Sequence, residues 1–249
     1  MRSCNITYYN EPKYLQYWYD VFTMLHDMGV EATLNIADDG SKIDPASDFF
    51  EKNPPLPNMR LFRVIEDIGF NSHGARNLLM KQTQTDWNMM SDIDRRYPIE
   101  TFIDVMENEG LKQEKYYSFY EIQQSSPDRF SVNEYVVHKD TFWLTGGYDE
   151  EFVNIHFGDR AFLDTLKQVA TRVCMFDWKL KYARFSRDVT WADVPTTIYP
   201  DDKTLIHPNN RWPDDGFRFG LKQFVEERNM THEGRMSKKV INFDWEQVF

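Results

Sequence analysis

The sequence predicts an α/β fold in which helices flank a mixed, mostly parallel sheet. Residues 2–9 are rich in β-forming side chains, residues 12–28 place apolar side chains at helical spacing, and residues 31–37 alternate like a second strand. A strand, a helix and a strand joined by short connections form a βαβ unit, whose two strands run parallel. Polar side chains follow both strands directly, at the edge where open parallel sheets bind their ligands. The pattern therefore predicts a fold class and the edge that carries a site.

The rest of the chain continues this alternation of strands and helices. Pro12 suits the first turn of the first helix, where no amide donor is needed, and Gly29 provides a stop. Residues 42–58 contain four prolines and are predicted to form a loop with at most one helical turn. The further predicted strands cover 59–65, 87–91, 115–122, 131–137 and 171–177, and the further predicted helices lie within 69–84, 98–108, 160–170 and near 217–225.

Length and composition indicate a folded globular protein. A chain of 249 residues can bury a sizeable core, and 41% of its residues are hydrophobic and 16% aromatic. No apolar run approaches the roughly 20 residues that a membrane-spanning helix needs, and no secretion signal is visible, so we expect a cytoplasmic protein without a transmembrane segment. Cys4 and Cys174 each fall in a strand-like run and are expected to be buried thiols rather than a disulfide.

The net charge of −11 is unevenly distributed. Residues 1–159 carry 14 basic and 27 acidic side chains, whereas residues 160–249 carry 15 and 13. An acidic half does not attract a polyanion by itself, although a bound metal or a basic cluster within it still can. This balance disfavours non-specific nucleic-acid binding through the first half.

Two carboxylates, Asp92 and Asp94, end the strand predicted over 87–91. Alternation along a strand places residues i and i+2 on the same side, so these two carboxylates are expected to point together. Hard oxygen donors of this kind suit Mg²⁺ or Mn²⁺. With Asn10-Glu11 and Asp38-Asp39 they make three polar strand ends that are expected to meet in one crevice. The alternative is that these carboxylates only cap helices and form turns.

Five motifs, taken together and in order, resemble those of the family-2 type of GT-A glycosyltransferases, which use nucleotide-diphosphate sugars. The resemblance spans residues 5 to about 165. It implies a GT-A fold as a single catalytic domain, in which residues 1–110 form the donor-binding lobe and residues 111–249 form the acceptor-binding lobe and the C-terminal tail. The motifs are Tyr9-Asn10-Glu11-Pro12, Asp38-Asp39-Gly40-Ser41, Ala75-Arg76-Asn77, Ser91-Asp92-Ile93-Asp94, and the run from Trp143 through Gly146-Gly147-Tyr148-Asp149 to Phe152.

The resemblance also implies roles for individual residues. Asp159 stands where the family has its general base, but Gly158 replaces the glutamate that usually precedes that base. Capping of the helix predicted over 160–170 is the alternative role for Asp159, and the two roles are compatible. The residues expected to contact the nucleotide sugar are Tyr9, Asn10, Glu11, Asp38, Asp39, Arg76, Asn77, Asp92 and Gly147. Mn²⁺ or Mg²⁺ is expected to be bound by Asp92, Asp94 and His207, and Trp143 and His156 are expected to line the acceptor site. His156 is also the rival of His207 as the metal-binding histidine.

The implied activity is a metal-dependent, inverting transfer of a sugar from a nucleotide-diphosphate donor, a UDP-sugar by default, to a hydroxyl group. A glycan or a lipid-linked glycan is the default acceptor. DNA carrying hydroxymethylated cytosine, as in phage enzymes, is an alternative that the basic residues between 179 and 187 favour and the net charge opposes. A degenerate domain that binds nucleotide sugars without turnover is a further alternative, based on Gly158. The aromatic tail either packs back over the site or offers a partner surface.

Overall fold

A computed structural model describes residues 1–122, 129–153, 158–182 and 240–249. Within those ranges a single sheet of nine strands is flanked by helices on both faces. The strands are β1 (Arg2–Tyr8), β2 (Ala32–Asp38), β3 (Met59–Val64), β4 (Trp87–Asp92), β5 (Arg95–Arg96), β6 (Lys115–Ile122), β7 (Arg129–His138), β8 (Thr171–Tyr182) and β9 (Trp245–Gln247). The helices are α1 (Pro12–Asp27), α2 (Ala46–Lys52), α3 (Ser72–Gln82), α4 (Ile99–Glu107), α5 (Lys139–Leu144) and α6 (Gly158–Val169), with a 3-10 turn at Glu150–Phe152.

The strand order is β5-β8-β6-β7-β4-β1-β2-β3-β9. The strands β4, β1, β2 and β3 run parallel, as the βαβ pattern predicts, and their carboxyl ends meet at one edge. The register pairs Tyr8 with Asp38 and Thr7 with Asp92. β7 joins β4 antiparallel and carries the sheet on to β6 and β8. The predicted mixed α/β architecture is therefore confirmed.

Each face of the sheet is covered by its own set of helices. α1, α2 and α4 pack on one face, where Trp18 and Phe102 are fully buried and meet edge to face with ring centroids 5.6 Å apart. α3, α5 and α6 pack on the other face, where Tyr148 stacks on Phe162 at 4.0 Å. Aromatic pairs of this kind add to the free energy gained by burying their surface.

The sequence analysis did not predict four short elements, namely α2, α5, β5 and β9. The prediction of a loop over 42–58 is wrong at 46–52, because Pro45 is the N-cap of a two-turn helix rather than a breaker. That helix begins where the distant Asp38 carboxylate accepts a hydrogen bond from the Ala46 amide at 2.8 Å, a cap that no local pattern shows. Cys4 is buried as expected, whereas Cys174 is exposed.

The last ten residues return to the sheet at its β3 edge. β9 pairs antiparallel with β3, and the Phe249 ring lies 4.9 Å from the Phe50 ring. Ile241, Phe243 and Trp245 pack against the apolar side of α3. Of the two readings of the tail, packing on the protein itself applies to residues 240–249. The helix predicted near 217–225 and the basic stretch 235–239 lie outside the described residues.

Across the described parts of the chain, no helix combines the length and the apolar character needed to cross a bilayer.

Candidate active site at the carboxyl ends of the parallel strands

The connections that follow β1 and β2 are tied to each other by side-chain hydrogen bonds to backbone amides. Asp38 accepts from the amides of Ser41 and Ala46, at 2.9 and 2.8 Å. Asn10 accepts through its Oδ1 from the amides of Ile43 and Asp44, at 3.1 and 3.0 Å. Both oxygens of Asp38 are therefore engaged in shaping the loop before α2, and the first two polar strand ends do converge.

Three buried polar atoms in this corner have no hydrogen-bond partner among the described residues. Asp39 accepts from the Asn71 amide at 2.8 Å through Oδ2, which leaves its Oδ1 unpartnered. The side-chain amide nitrogens of Asn10 and Asn71 are also buried and unpartnered. Burial raises the pKa of Asp39 well above its ordinary value. Because buried polar groups are normally satisfied, these atoms make the corner a candidate position for a polar ligand.

Tyr9 and Glu11 lie at the rim of the same corner. The Tyr9 hydroxyl donates to Asp67 at 3.3 Å, and Lys42 approaches the same carboxylate at 3.6 Å. Glu11 precedes α1 and is half-buried, and burial raises the pKa of its carboxyl group. Both side chains are available to a ligand that enters over the ends of β1 and β2.

Arg76 connects the strand-end carboxylate Asp92 to Asp159. It projects from α3, is 2% exposed, and forms ion pairs with Asp92 through one terminal nitrogen and with Asp159 through the other. The second of these nitrogens also donates to the Tyr148 hydroxyl at 3.1 Å, while the buried Nε has no partner among the described residues. One guanidinium group thus holds the strand-end carboxylate and the predicted base in a fixed relation.

Asp92 ends β4, Asp94 lies in the turn between β4 and β5, and a single arginine bridges the two carboxylates. Arg95 donates to Asp92 and to Asp94 at 3.1 Å each, and its Nε donates to the buried Glu134 at 2.6 Å. Asn133 donates to Asp92 at 3.0 Å. Burial outweighs the opposing charge of Arg95 and, reinforced by Asp92, raises the pKa of Asp94 to about 6.

The chemistry of these donors fits a divalent cation. Asp92 and Asp94 are 26% and 28% exposed, so both side chains reach solvent. Burial raises the pKa of Glu134 to about 8, so three ionised carboxylates, Asp92, Asp94 and Asp159, face the guanidinium groups of Arg76 and Arg95 and leave one negative charge in excess. The described residues contain no group of three His, Cys, Asp or Glu side chains arranged for a metal. Both oxygens of Asp92 are already paired with Arg76 and Arg95, so Mg²⁺ or Mn²⁺ could bind Asp92 and Asp94 only in exchange for one of these arginine contacts, with the other positions left to a ligand and water.

Asp159 does not cap α6, because that helix begins one residue earlier, at Gly158, and the carboxylate turns away to Arg76. The capping alternative is therefore wrong. Its side chain is 24% exposed, and the His73 imidazole lies 3.9 Å from its second oxygen. Burial by itself raises the pKa of Asp159, but Arg76 and His73 outweigh burial and hold it well below its usual range. The carboxylate is thus ionised and ready to accept a proton.

Asn77 holds the Gly146-Gly147 loop through hydrogen bonds to the next residue. The Asn77 side chain accepts from the Tyr148 amide at 2.8 Å and donates to the Tyr148 carbonyl and to Glu150, each at 2.9 Å. Gly147 has φ +78°, and a Cβ there would lie 2.7 Å from the Asn77 oxygen and 3.0 Å from the Trp143 ring. Both the backbone conformation and the close packing therefore require glycine. Trp143 lies beside this loop, as an acceptor-lining residue would.

The structure brings most of the predicted site residues together, but two lie outside the described residues: His156 and His207. It also adds four residues that sequence reasoning passed over: His73, Arg95, Glu134 and Glu150. Arg95 directly follows the acidic pair and Glu150 belongs to the glycine motif, so both offered a local signal. His73 and Glu134 offered none, because only the folded chain brings them to the site.

The fold is of the GT-A type found in glycosyltransferases. PcManGT, a mannosyltransferase from Pyrobaculum calidifontis solved in complex with GDP-Man and Mn²⁺, matches with a TM-score of 0.57 and 13% identity, over 75% of this chain and 58% of its own. TarS 1-349 of S. aureus in complex with UDP-GlcNAc matches with a TM-score of 0.61 and 13% identity, over 74% of this chain and 58% of its own. A second structure of TarS 1-349 matches with a TM-score of 0.59 and 14% identity, over 73% of this chain and 60% of its own.

This chain therefore matches only about three-fifths of the length of these structural neighbours. No protein-family model matches the sequence, and no curated protein sequence matches it.

Proposed function

We propose that the protein is a metal-dependent, inverting glycosyltransferase that moves a sugar from a nucleotide-diphosphate donor to a hydroxyl acceptor. The observation that carries the proposal is the network in which Arg76 joins Asp92, at the end of β4, to Asp159, at the start of α6. It links a pair of metal-binding carboxylates to an ionised carboxylate with access to the cleft. GT-A neighbours solved with GDP-Man or UDP-GlcNAc support the same reading.

In this proposal the nucleoside occupies the corner formed by Tyr9, Asn10, Glu11 and Asp39. The unpartnered polar atoms there supply hydrogen bonds to the base or the ribose. Asp38 contributes by shaping the loop rather than by direct contact, because its oxygens are already engaged. A UDP-sugar is the default donor, and residues 1–110 form most of the donor lobe.

The diphosphate and the sugar lie toward Arg76, Asp92 and Gly147. Asn77 acts through the glycine loop that it holds. Mn²⁺ or Mg²⁺ held by Asp92 and Asp94, with His207 as a third ligand, would neutralise the charge on the departing nucleoside diphosphate. Residues 111–249 shape the acceptor site, in which Trp143 and His156 take part.

Asp159 is the general base of the proposed reaction. It accepts the proton of the acceptor hydroxyl while that oxygen attacks the anomeric carbon. The bond from the anomeric carbon to the diphosphate oxygen breaks, and its electron pair leaves with the nucleoside diphosphate. A single displacement of this kind inverts the configuration of the sugar. Arg76 keeps Asp159 ionised and oriented throughout.

The test is a measurement of nucleoside diphosphate release from a panel of UDP- and GDP-sugars, with Mn²⁺, Mg²⁺ or EDTA. Each donor is assayed alone and with a glycan, a lipid-linked glycan or DNA containing hydroxymethylated cytosine. Release that depends on both metal and acceptor is the expected result. Donor binding without turnover under every condition would support the degenerate alternative, and the absence of both binding and turnover would refute the proposal.

A further inference from the structure

The residue before the predicted base is glycine for a steric reason. A Cβ on Gly158 would overlap the imidazole ring of His73, which lies against the start of α6. A glutamate in this position, as the family resemblance leads one to expect, has no room while His73 is present. Glycine at position 158, in place of the expected glutamate, therefore goes together with a histidine from α3 that occupies the space beside Asp159.

The His73 ring is enclosed and oriented by aromatic neighbours. Its side chain is 2% exposed, its ring centroid lies 5.3 Å from that of Tyr148, and Phe152 meets it edge to face at 6.0 Å. Neither ring nitrogen has a hydrogen-bond partner among the described residues. A buried imidazole without a partner is costly, and such groups are commonly retained for a function.

The charged and titratable groups around this imidazole are Asp159, Arg76 and two tyrosine hydroxyls. Asp159 on α6 faces its Nε2 at 3.9 Å. Arg76, one turn further along α3, binds the other oxygen of the same carboxylate. The same Arg76 nitrogen donates to the Tyr148 hydroxyl, which lies 2.8 Å from the Tyr135 hydroxyl. Asp159 is thus held between an arginine, which cannot accept a proton, and an imidazole, which can.

We propose that His73 is the proton acceptor behind Asp159 and that the two residues work as a pair. The inference rests on the proposed glycosyl transfer and adds a positioning residue to it. Asp159 removes the proton from the acceptor hydroxyl, and its second oxygen then passes that proton to Nε2 of His73. The approach must shorten by about 1 Å to reach hydrogen-bond length, as catalytic contacts commonly do when substrate binds.

The pairing answers a difficulty that the ion pair with Arg76 creates. A carboxylate held by an arginine is ionised at neutral pH but retains an abstracted proton poorly. The neutral imidazole has a nitrogen lone pair that can take the proton from the carboxyl group. After the products leave, the proton returns through Asp159, the more exposed member of the pair, to solvent, which restores the pair. No oxidant or further reactant is needed.

The experiment compares H73Q with the unmodified enzyme in steady-state turnover and in donor binding. Glutamine can still donate a hydrogen bond to Asp159 but cannot accept a proton to become a cation. We expect kcat to fall by about 10- to 100-fold, less than the 10²–10⁴-fold effect of losing the base itself. The KM and the calorimetric affinity for the donor should stay nearly unchanged, whereas a merely structural role of His73 would weaken both.

Two further variants keep the test decisive. H26Q changes an exposed histidine of α1 and should leave kcat and donor affinity unchanged. G158A keeps the imidazole but displaces it, so it should lower kcat with donor affinity nearly unchanged even if H73Q fails to fold. Wild-type kcat in H73Q or in G158A, or a loss of kcat that is matched by an equal loss of donor affinity, would overturn the inference. Failure of the unmodified enzyme to bind any nucleotide sugar would instead overturn the proposed function.

Discussion

Glu150 ties the end of the chain to the candidate active site, and its removal gives a measurable prediction. Its carboxylate accepts hydrogen bonds from the Ile241 amide at 2.6 Å, the Asn242 amide at 3.2 Å and the Asn77 side chain at 2.9 Å. Asn77 is fully buried and holds the backbone of Tyr148. In Glu150→Ala all three donors lose their acceptor at once.

The magnitude follows from the surroundings of each donor. The buried Asn77 amide nitrogen keeps its bond to the Tyr148 carbonyl, but its second N–H loses its acceptor at a cost of about 1–3 kcal/mol, and the two more exposed backbone amides cost about 1 kcal/mol each because water replaces part of the bond. The free energy of unfolding should therefore fall by about 3–5 kcal/mol. In a chain of this size each kcal/mol lowers Tm by about 2–4 °C, which gives a decrease of about 6–20 °C.

Thermal unfolding followed by circular dichroism measures the change, and amide exchange locates it. The amides of Ile241 and Asn242 should lose protection in Glu150→Ala, and those of β9 should follow. Glu51→Ala, at an exposed position of α2, is the matched control and should leave Tm within about 1 °C. If the Tm of Glu150→Ala also stays within about 1 °C of that of the unmodified protein, the view that this carboxylate anchors the C-terminal segment is refuted.

Three further predictions concern the acidic residues of the site. Asp94→Ala should abolish metal-stimulated turnover while the far-UV spectrum stays unchanged; the exposed Asp27→Ala is its control, and full activity of the unmodified enzyme in excess EDTA would contradict the assignment. Asp159→Asn should leave donor affinity nearly unchanged but lower kcat by about 10²–10⁴-fold, and a wild-type kcat would reject this base. Because the pKa of Asp159 is lowered in the folded state, its contribution to stability is present above the unfolded pKa of about 3.9 and is lost as pH falls below it. Urea unfolding at pH 3 and pH 6 should therefore show a smaller loss of stability for Asp159→Asn than for the unmodified protein.

The sequence was sufficient for the elements with strong periodicity and for the edge where they meet. The run over residues 12–28 gives α1 almost to the residue, since apolar spacing and the flanking Pro12 and Gly29 agree. Asp92 ends a strand at that edge as its run predicts, but Asp94 lies in the turn after β4, so the contact of both carboxylates with Arg95 does not come from strand alternation.

Features that depend on distant contacts could not be predicted in this way. α2 requires the carboxylate of Asp38 as its cap, and β9 exists only because β3 offers an edge to pair with. The same holds for the site. Arg76 was expected near the nucleotide from its motif, but its position between Asp92 and Asp159 arises only when three elements pack together. The relation of His73 to Gly158 crosses 85 residues of chain and leaves no local pattern.

The most direct test of the central claim is calorimetric titration of nucleoside diphosphates into the protein in the presence of Mn²⁺. The unpartnered oxygen of Asp39 marks the corner assigned to the nucleoside. Loss of one hydrogen bond to this buried carboxyl group costs about 0.5–1.5 kcal/mol, so Asp39→Ala should weaken binding by about 2- to 13-fold. Asp48→Ala, an exposed carboxylate in the first turn of α2, should leave affinity unchanged. Binding of UDP or GDP that is weakened only by the Asp39 change is the predicted result. Equal affinity in both variants, or no binding of any nucleoside diphosphate, would contradict the account.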